Sequence, residues 1–182
     1  MSIASLAERI PVRVGFRMHE SMRGWHVFEP GWGPPGRHPF RFDVTWGPDD
    51  LGRWLDPRSP DFLRHPMRGT VTVGGLCAQV PCEGTMELRY VGEHRIGYRF
   101  RFEAGGRTFL FRGDKVEIRP WNLPFSHTTC FGTIQIDDDE GGSQLVSRSV
   151  TRFLLRTTPA FVGSFRVRLT RRTTPGTSRA SG

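Results

Sequence analysis

Apolar and polar residues alternate with a period of two along almost every stretch of this chain, and that pattern constrains the fold more than any other feature. A strand sends successive side chains to opposite faces, so each such run reads as a strand with one face toward a core. Residues 12–22 set Val12, Val14, Phe16 and Met18 against Arg13, Arg17 and His19. Residues 39–46 set Phe40, Phe42, Val44 and Trp46 against Arg41, Asp43 and Thr45. The same alternation carries Val71 and Val73 in 69–74, Met86, Leu88 and Tyr90 in 85–91, and Ile96, Tyr98, Phe100 and Phe102 in 94–103. Gly92-Glu93 and Ala104-Gly105-Gly106 read as the turns flanking the last of these. In 107–118, Phe109 and Phe111 share a face with Lys115, and Leu110, Val116 and Ile118 take the other. Residues 127–136 form a further strand, and the polar run Asp137–Gly142 reads as a hairpin tip. Residues 143–156 fit a strand with Ser147, Ser149, Thr151 and Phe153 on one face, or a helix carrying Val146, Val150 and Leu154; the preceding turn favours the strand.

Helical signals are few. Residues 49–55 predict one short helix with acidic residues in its first turn, and Thr158-Pro159 predicts the start of another running to about Val167. Residues 1–10 read as an extension, 11–169 as one domain and 170–182 as a disordered basic tail. Eight or nine antiparallel strands with one apolar face predict a barrel, because closure removes the edges of the sheet.

Composition narrows the class. The 22 glycines and 14 prolines of the 182 residues supply turns and show no collagen-like period. No apolar run approaches the roughly 20 residues of a membrane-spanning helix, and the N-terminus has no basic region leading into an apolar one. Cys77, Cys82 and Cys130 show neither metal spacing nor a CxxC pair, so a cytoplasmic protein with reduced thiols is expected. The net charge is +8, and Lys115 is the only lysine among 26 basic residues. Arg13, Arg41, Arg89, Arg99 and Arg152 are scattered singly, and only Arg166, Arg168, Arg171 and Arg172 cluster. That distribution predicts no nucleic-acid partner and makes an acidic-partner module the weaker reading.

Several residues carry possible chemistry. Gly31-Trp32-Gly33-Pro34-Pro35-Gly36 matches a dinucleotide fingerprint in letters only: its prolines lack the N–H groups that would hold phosphate, and no helix follows. Six histidines show no HxH or HxxxH spacing, and the acidic turn lacks calcium-loop spacing, so neither metal nor cofactor is expected. Extending the alternation of 12–18 places Glu20 on the apolar face between Met18 and Met22; it is either a carboxylate aimed into the barrel or one at the wet rim. Lys115 is either a desolvated ammonium within the barrel, serving as an acid, an imine former or the ion-pair partner of Glu20, or a rim lysine. Tyr90 and Tyr98 fall on inward faces, as core residues or as hydrogen-bond donors to a ligand. His127-Thr128-Thr129-Cys130 concentrates polar groups in one strand, and Ser147, Ser149 and Thr151 form a hydroxyl stripe on the next, without the order of a Ser/His/Asp triad.

The motifs resemble those of an accessory domain that accompanies long-form, cholesterol-oxidase-like members of the glucose–methanol–choline oxidoreductase family. Phe16-Arg17-Met18-His19-Glu20-Ser21-Met22-Arg23-Gly24 is similar to that domain's F-x-E-x-M-x-G opening, offset by one residue. The likeness continues in order through Met67–Val71, Val80–Gly84, Tyr98–Phe100, Phe111–Val116, His127–Thr129 and Ser164–Val167, spanning roughly 14–168. His127 stands where such domains commonly carry an acid. The resemblance implies a lipocalin- or calycin-like barrel for apolar or sterol-like molecules. It brings no established catalytic residues and, with no flavin domain, no oxidase activity.

Together these readings predict an all-β, antiparallel barrel that binds a sterol-, terpenoid- or polyketide-like molecule. Its walls would come from Trp25, Phe42, Trp46, Tyr90, Tyr98, Phe100, Phe109 and Phe111, with Ser149 and Thr151 as polar contacts. The alternative is a cyclase or isomerase of secondary metabolism that uses the same cavity, with Glu20 and Lys115 as acid and base and His127 as a further donor.

Overall fold

The computed structural model describes residues 12–89, 93–115, 129–137, 142–153 and 166–171. Its strands are β1 (Val12–Phe28), β2 (His38–Trp46), β3 (Arg64–Val73), β4 (Cys77–Arg89), β5 (Arg95–Ala104), β6 (Arg107–Lys115), β7 (Thr129–Asp137), β8 (Ser143–Phe153) and β9 (Arg166–Arg171), with one helical turn, α1 (Leu51–Trp54). Each strand from β2 to β7 pairs antiparallel with the next, and β1 pairs with both β2 and β8. The sheet therefore closes into an eight-stranded, lipocalin-like antiparallel barrel. Residues 143–153 are strand, as the turn before them suggested.

The long β1 serves two purposes. Met18–Phe28 closes the barrel, whereas Val12–Arg17 runs beyond it and pairs with β9, from Val12↔Arg171 to Arg17↔Arg166. This corrects the expected second helix: Arg166 and Val167 lie in a strand, and β9 continues through Thr170 and Arg171, into the predicted tail. The cause is non-local. The Thr158-Pro159 signal is a local preference, whereas the free edge of β1 offers backbone groups that a strand can pair. The rest of that predicted helix lies outside the described residues, as do Tyr90 and His127. Where β1 pairs with β2 and β8 at once, Gly24 takes an inward position by strand parity although it is exposed, and a Cβ there would collide with the Val150 carbonyl and the Thr151 backbone. Only glycine allows the two strands to approach so closely at a barrel corner.

The predicted apolar faces point inward. Phe42, Phe100, Phe102, Phe109, Phe111 and Tyr98 are all buried to within 2% exposure, so the alternation reports a real core. Strands β2 and β6 lie on opposite sides of the ring of eight, yet the Phe42 and Phe111 ring centroids are 5.6 Å apart and those of Phe40 and Phe111 are 5.2 Å apart. Phe100 joins them, 4.6 Å from Phe111 and 5.4 Å from Phe42. The middle of the barrel is thus filled by phenyl rings in tilted contact. Phe111 reaches this position by lying over two glycines, since a Cβ on Gly113 or Gly132 would meet its ring at 2.6 or 2.5 Å. At one end, α1 opens with the Asp50 carboxylate accepting a hydrogen bond from the Arg53 N–H (3.1 Å). The helix buries Trp54 against Phe16, which also meets Trp46 at 5.5 Å.

Ring and glycines form one packing unit, so their substitutions will not add. Phe111→Ala is expected to cost about 3–5 kcal/mol, and Gly132→Ala about 1–3 kcal/mol. In the double variant the added methyl occupies space the ring has vacated, so the combined cost in urea denaturation falls short of the sum. A strictly additive result would refute this account of the core.

Candidate functional site

Three of the candidate residues converge inside the barrel. Glu20 projects inward from β1, Tyr98 from β5 and Lys115 from the last position of β6, and they are 5%, 0% and 3% exposed. Each position follows from strand parity: Glu20 shares its face with Met22, Tyr98 with Phe100, and Lys115 with Phe111 and Gly113. The Lys115 Nζ donates a short hydrogen bond to the Glu20 Oε1. The Tyr98 hydroxyl donates to the same carboxylate, 3.0 Å from Oε1 and 3.1 Å from Oε2. The ammonium also lies 5.2 Å from the centre of the Tyr98 ring and 5.6 Å from that of Phe153, where ring quadrupoles attract a cation. Both open alternatives of the sequence are thereby resolved: neither Glu20 nor Lys115 is a rim residue.

The cluster sits toward the barrel end at which β6 stops and β7 begins, the end that also carries α1. Cys130 faces it from β7. Burial pushes the Cys130 thiol up to about 12, outweighing the downward pull of the Lys115 ammonium, so this sulfur remains a thiol and not a thiolate nucleophile. Cys82 is likewise pushed up to about 12, first by burial and then by Asp43. Thr151 pairs with Cys130 in the ladder and sets its hydroxyl beside the thiol.

The hydroxyl stripe is present, and the structure extends it with a residue that the sequence reading left aside. Ser147, Ser149 and Thr151 all face inward and are buried. His26, wholly buried, stands opposite Ser149 across the β1–β8 pairing. Its Nε2 lies 2.9 Å from the Gly74 carbonyl, so Nε2 carries the proton and donates it, leaving Nδ1 as the bare nitrogen. Among the described residues, His26 Nδ1 and the Ser147 and Ser149 hydroxyls have no hydrogen-bond partner. The signal for His26 was the parity of β1: Glu20, Met22, Gly24, His26 and Phe28 are successive inward positions.

The aromatic candidates divide. Phe42, Phe100 and Phe111 pack on one another in the middle of the barrel, Phe109 stacks on Phe102 at 5.5 Å, and Trp46 packs on Phe16. Trp25 is a correction. It points outward, half-buried, with the Arg37 guanidinium 4.3 Å over its ring, because it alternates with inward Gly24 and His26. It therefore belongs to the barrel's outer face. Among the described residues no three metal-ligating side chains cluster, and no helix is long and apolar enough to cross a membrane.

Fold and cluster together define the class of protein: an antiparallel lipocalin-like barrel with an ion pair and a phenol buried in one end. No protein-family model and no curated protein matches the chain.

Two outcomes follow. Lys115→Met or Glu20→Gln alone strands a buried charge and is expected to cost about 3–5 kcal/mol of stability, whereas the paired Glu20→Leu/Lys115→Met variant is expected to lose less than either. Equal or larger loss in the double, measured by denaturant midpoint, would show that the pair is a net stabiliser. The second outcome concerns pH. Burial, the leading cause, holds the His26 imidazole below the usual histidine range, and His65 is lowered for the same reason. A base whose folded-state pKa is depressed binds fewer protons than in the unfolded chain, so its stabilising contribution is complete above pH about 6.5 and declines as pH falls below that value. The urea midpoint should therefore drop between pH 7.5 and pH 5, and less so in His26→Asn.

Proposed function

We propose that the barrel binds an apolar small molecule carrying an oxygen function at the Glu20–Lys115–Tyr98 end and moves protons on it, as a cyclase or isomerase. The observation that carries this reading is the buried ion pair itself. Two opposite charges in an apolar interior stabilise a fold little and often cost stability relative to packed hydrophobes, so their presence there is best explained by use. The ring-filled middle supports a short ligand seat at this end over a carrier spanning the lumen. Likeness to the accessory domain of cholesterol-oxidase-like oxidoreductases favours a rigid, sterol-, terpenoid- or polyketide-like molecule.

The roles follow from donor and acceptor capacity. Glu20, as a carboxylate, is the base that takes a proton from a carbon beside a carbonyl. Lys115 and Tyr98, the donors now turned to Glu20, can turn to the ligand oxygen on which negative charge gathers. Returning the proton to a different carbon completes an isomerisation. For a ring closure, the enolate carbon bonds to a second carbonyl carbon of the same molecule, whose C=O π bond breaks and whose oxygen takes the proton back; neither outcome changes the oxidation state overall. Ser149 and Thr151 supply further hydroxyls along the β8 wall.

Organic extracts of the purified protein, analysed by mass spectrometry, should contain an apolar molecule that is depleted in Lys115→Ala. In heavy water, wild type should speed deuterium uptake beside the carbonyl of a 3-keto steroid probe, and Glu20→Gln should slow it about 10²–10⁴-fold while still binding the probe. Binding without exchange would leave a carrier and remove the enzyme; neither binding nor exchange would remove the reading altogether.

A further inference from the structure

We infer that the outer face of β6, β7, β8 and β1 is a docking surface for a short acidic, amphipathic peptide segment of a partner protein. The registers of five strand pairs place its residues in three lateral rows. The middle row runs Asp114–Phe131–Val150–Trp25. On one side lies Arg99–Arg112–Thr133–Arg148–Val27, and on the other Thr129–Arg152–Arg23–Arg41. An apolar strip is therefore bordered on both sides by arginines, a juxtaposition hidden in the sequence because every one of these residues comes from a different part of an alternating strand. The strip and the first of these border rows line a groove of about 600 Å³, and Arg152 and Arg23 stand outside it on the strip's other side. Phe131 is 54% exposed, a large apolar side chain that the barrel leaves uncovered.

Charge decides the occupant. Arg99 is held by Asp114, Arg148 by Glu29 and Arg41 by Asp43. Arg23, Arg112 and Arg152 are exposed and have no carboxylate partner among the described residues. Two of these unpaired cations stand in one border row and one in the other. Same-face neighbours on a strand are about 7 Å apart, so the border rows are about 14 Å apart, and three strand spacings give the strip a length of about 14 Å. A helix about 10–12 Å across fits between such rows, its apolar stripe on Phe131 and Val150, beside the Arg37-covered Trp25, and its carboxylates reaching the arginines. The small area suits a short segment bound transiently. A nucleic-acid strand fits less well. Base stacking needs successive free aromatic faces, but Arg37 covers the Trp25 ring, which leaves Phe131 as the one uncovered ring of the strip.

Fluorescence anisotropy with a labelled twelve-residue helical peptide, Leu on one face and Glu flanking it, tests this on the full chain. Binding is expected in the micromolar range and should weaken with salt. It should fall at least tenfold for a copy of the peptide with Gln in place of Glu, for Arg112→Glu/Arg152→Glu, and for Phe131→Ser. Folded Glu20→Gln protein, and the less destabilised Glu20→Leu/Lys115→Met double variant, should bind the peptide normally, so failure here is distinguishable from failure of the proposed chemistry. The inference is overturned if the Gln copy binds as well as the Glu peptide, or if folded Phe131→Ser or charge-reversed protein binds like wild type. Tighter binding of a twelve-nucleotide oligothymidylate than of the peptide would overturn it in favour of a nucleic-acid strand.

Discussion

Phe42 and Phe111 meet across the middle of the barrel, and the arrangement of everything polar inside follows from that contact. An eight-stranded barrel has just enough interior for side chains or one small ligand. Here opposite walls supply rings that touch, and two glycines on β6 and β7 give Phe111 the depth to do so. The interior is thereby divided. Glu20, Tyr98 and Lys115 lie to one side of the rings, toward the α1 end, and Phe28, Phe102, Phe109 and Ile136 to the other. The rings on one side and the burial of Glu20, Tyr98 and Lys115 to 5% exposure or less give the charged cluster its low-dielectric surroundings.

In those surroundings the ion pair has two opposing effects. Coulombic attraction between contacting charges grows as the dielectric falls, but so does the cost of stripping each charge of water. Tyr98 shifts the balance by giving the carboxylate a second donor, and the rings of Tyr98 and Phe153 give the ammonium a partial counter-charge. The cluster is well satisfied as it stands, yet each donor has an alternative acceptor the moment an oxygen-bearing molecule enters. Preorganised donors of this kind require little rearrangement when charge develops. By contrast, Ser147, Ser149 and His26 Nδ1 are buried polar atoms without partners among the described residues, which makes the β1–β8 wall the less settled side of the interior.

Much of this was legible in the chain because strand parity is strict. Once Phe16 and Met18 faced inward, so did Glu20, and once Phe111 did, so did Lys115; the fold class and the meeting of these residues follow from counting by two. The same rule, carried six residues further, would have turned His26 inward and Trp25 outward. It was obscured by Gly24, which contributes no side chain to either pattern. What the sequence could not convey was anything set by pairing between distant strands. The residues after Pro159 end in β9 because the overhang of β1 needed a partner, and no local propensity carries that information. Nor does alternation reveal whether inward rings line a cavity or fill it. That depends on which strands lie opposite, and so on the closure of β1 with β2 and β8.

The contrast between one lysine and twenty-five arginines has a physical reading in these two settings. A guanidinium presents five donors in a rigid plane, and buried it would need acceptors for all of them. An ammonium has three donors on a compact centre, and the Glu20 carboxylate together with two ring faces can accommodate it in a space that a planar fork would not share with Phe153. Outside, the preference reverses. A planar group on a long stem can lie over Trp25, as Arg37 does, or span from one strand to the next, as Arg148 does in reaching Glu29. The barrel wall thus separates two kinds of electrostatics: inside, among the described residues, a compact cation matched to a carboxylate; outside, arginines, three of whose unpaired members border an apolar strip. The net positive charge is a property of that outer surface, and the chemistry proposed for the interior depends on the one cation that does not belong to it.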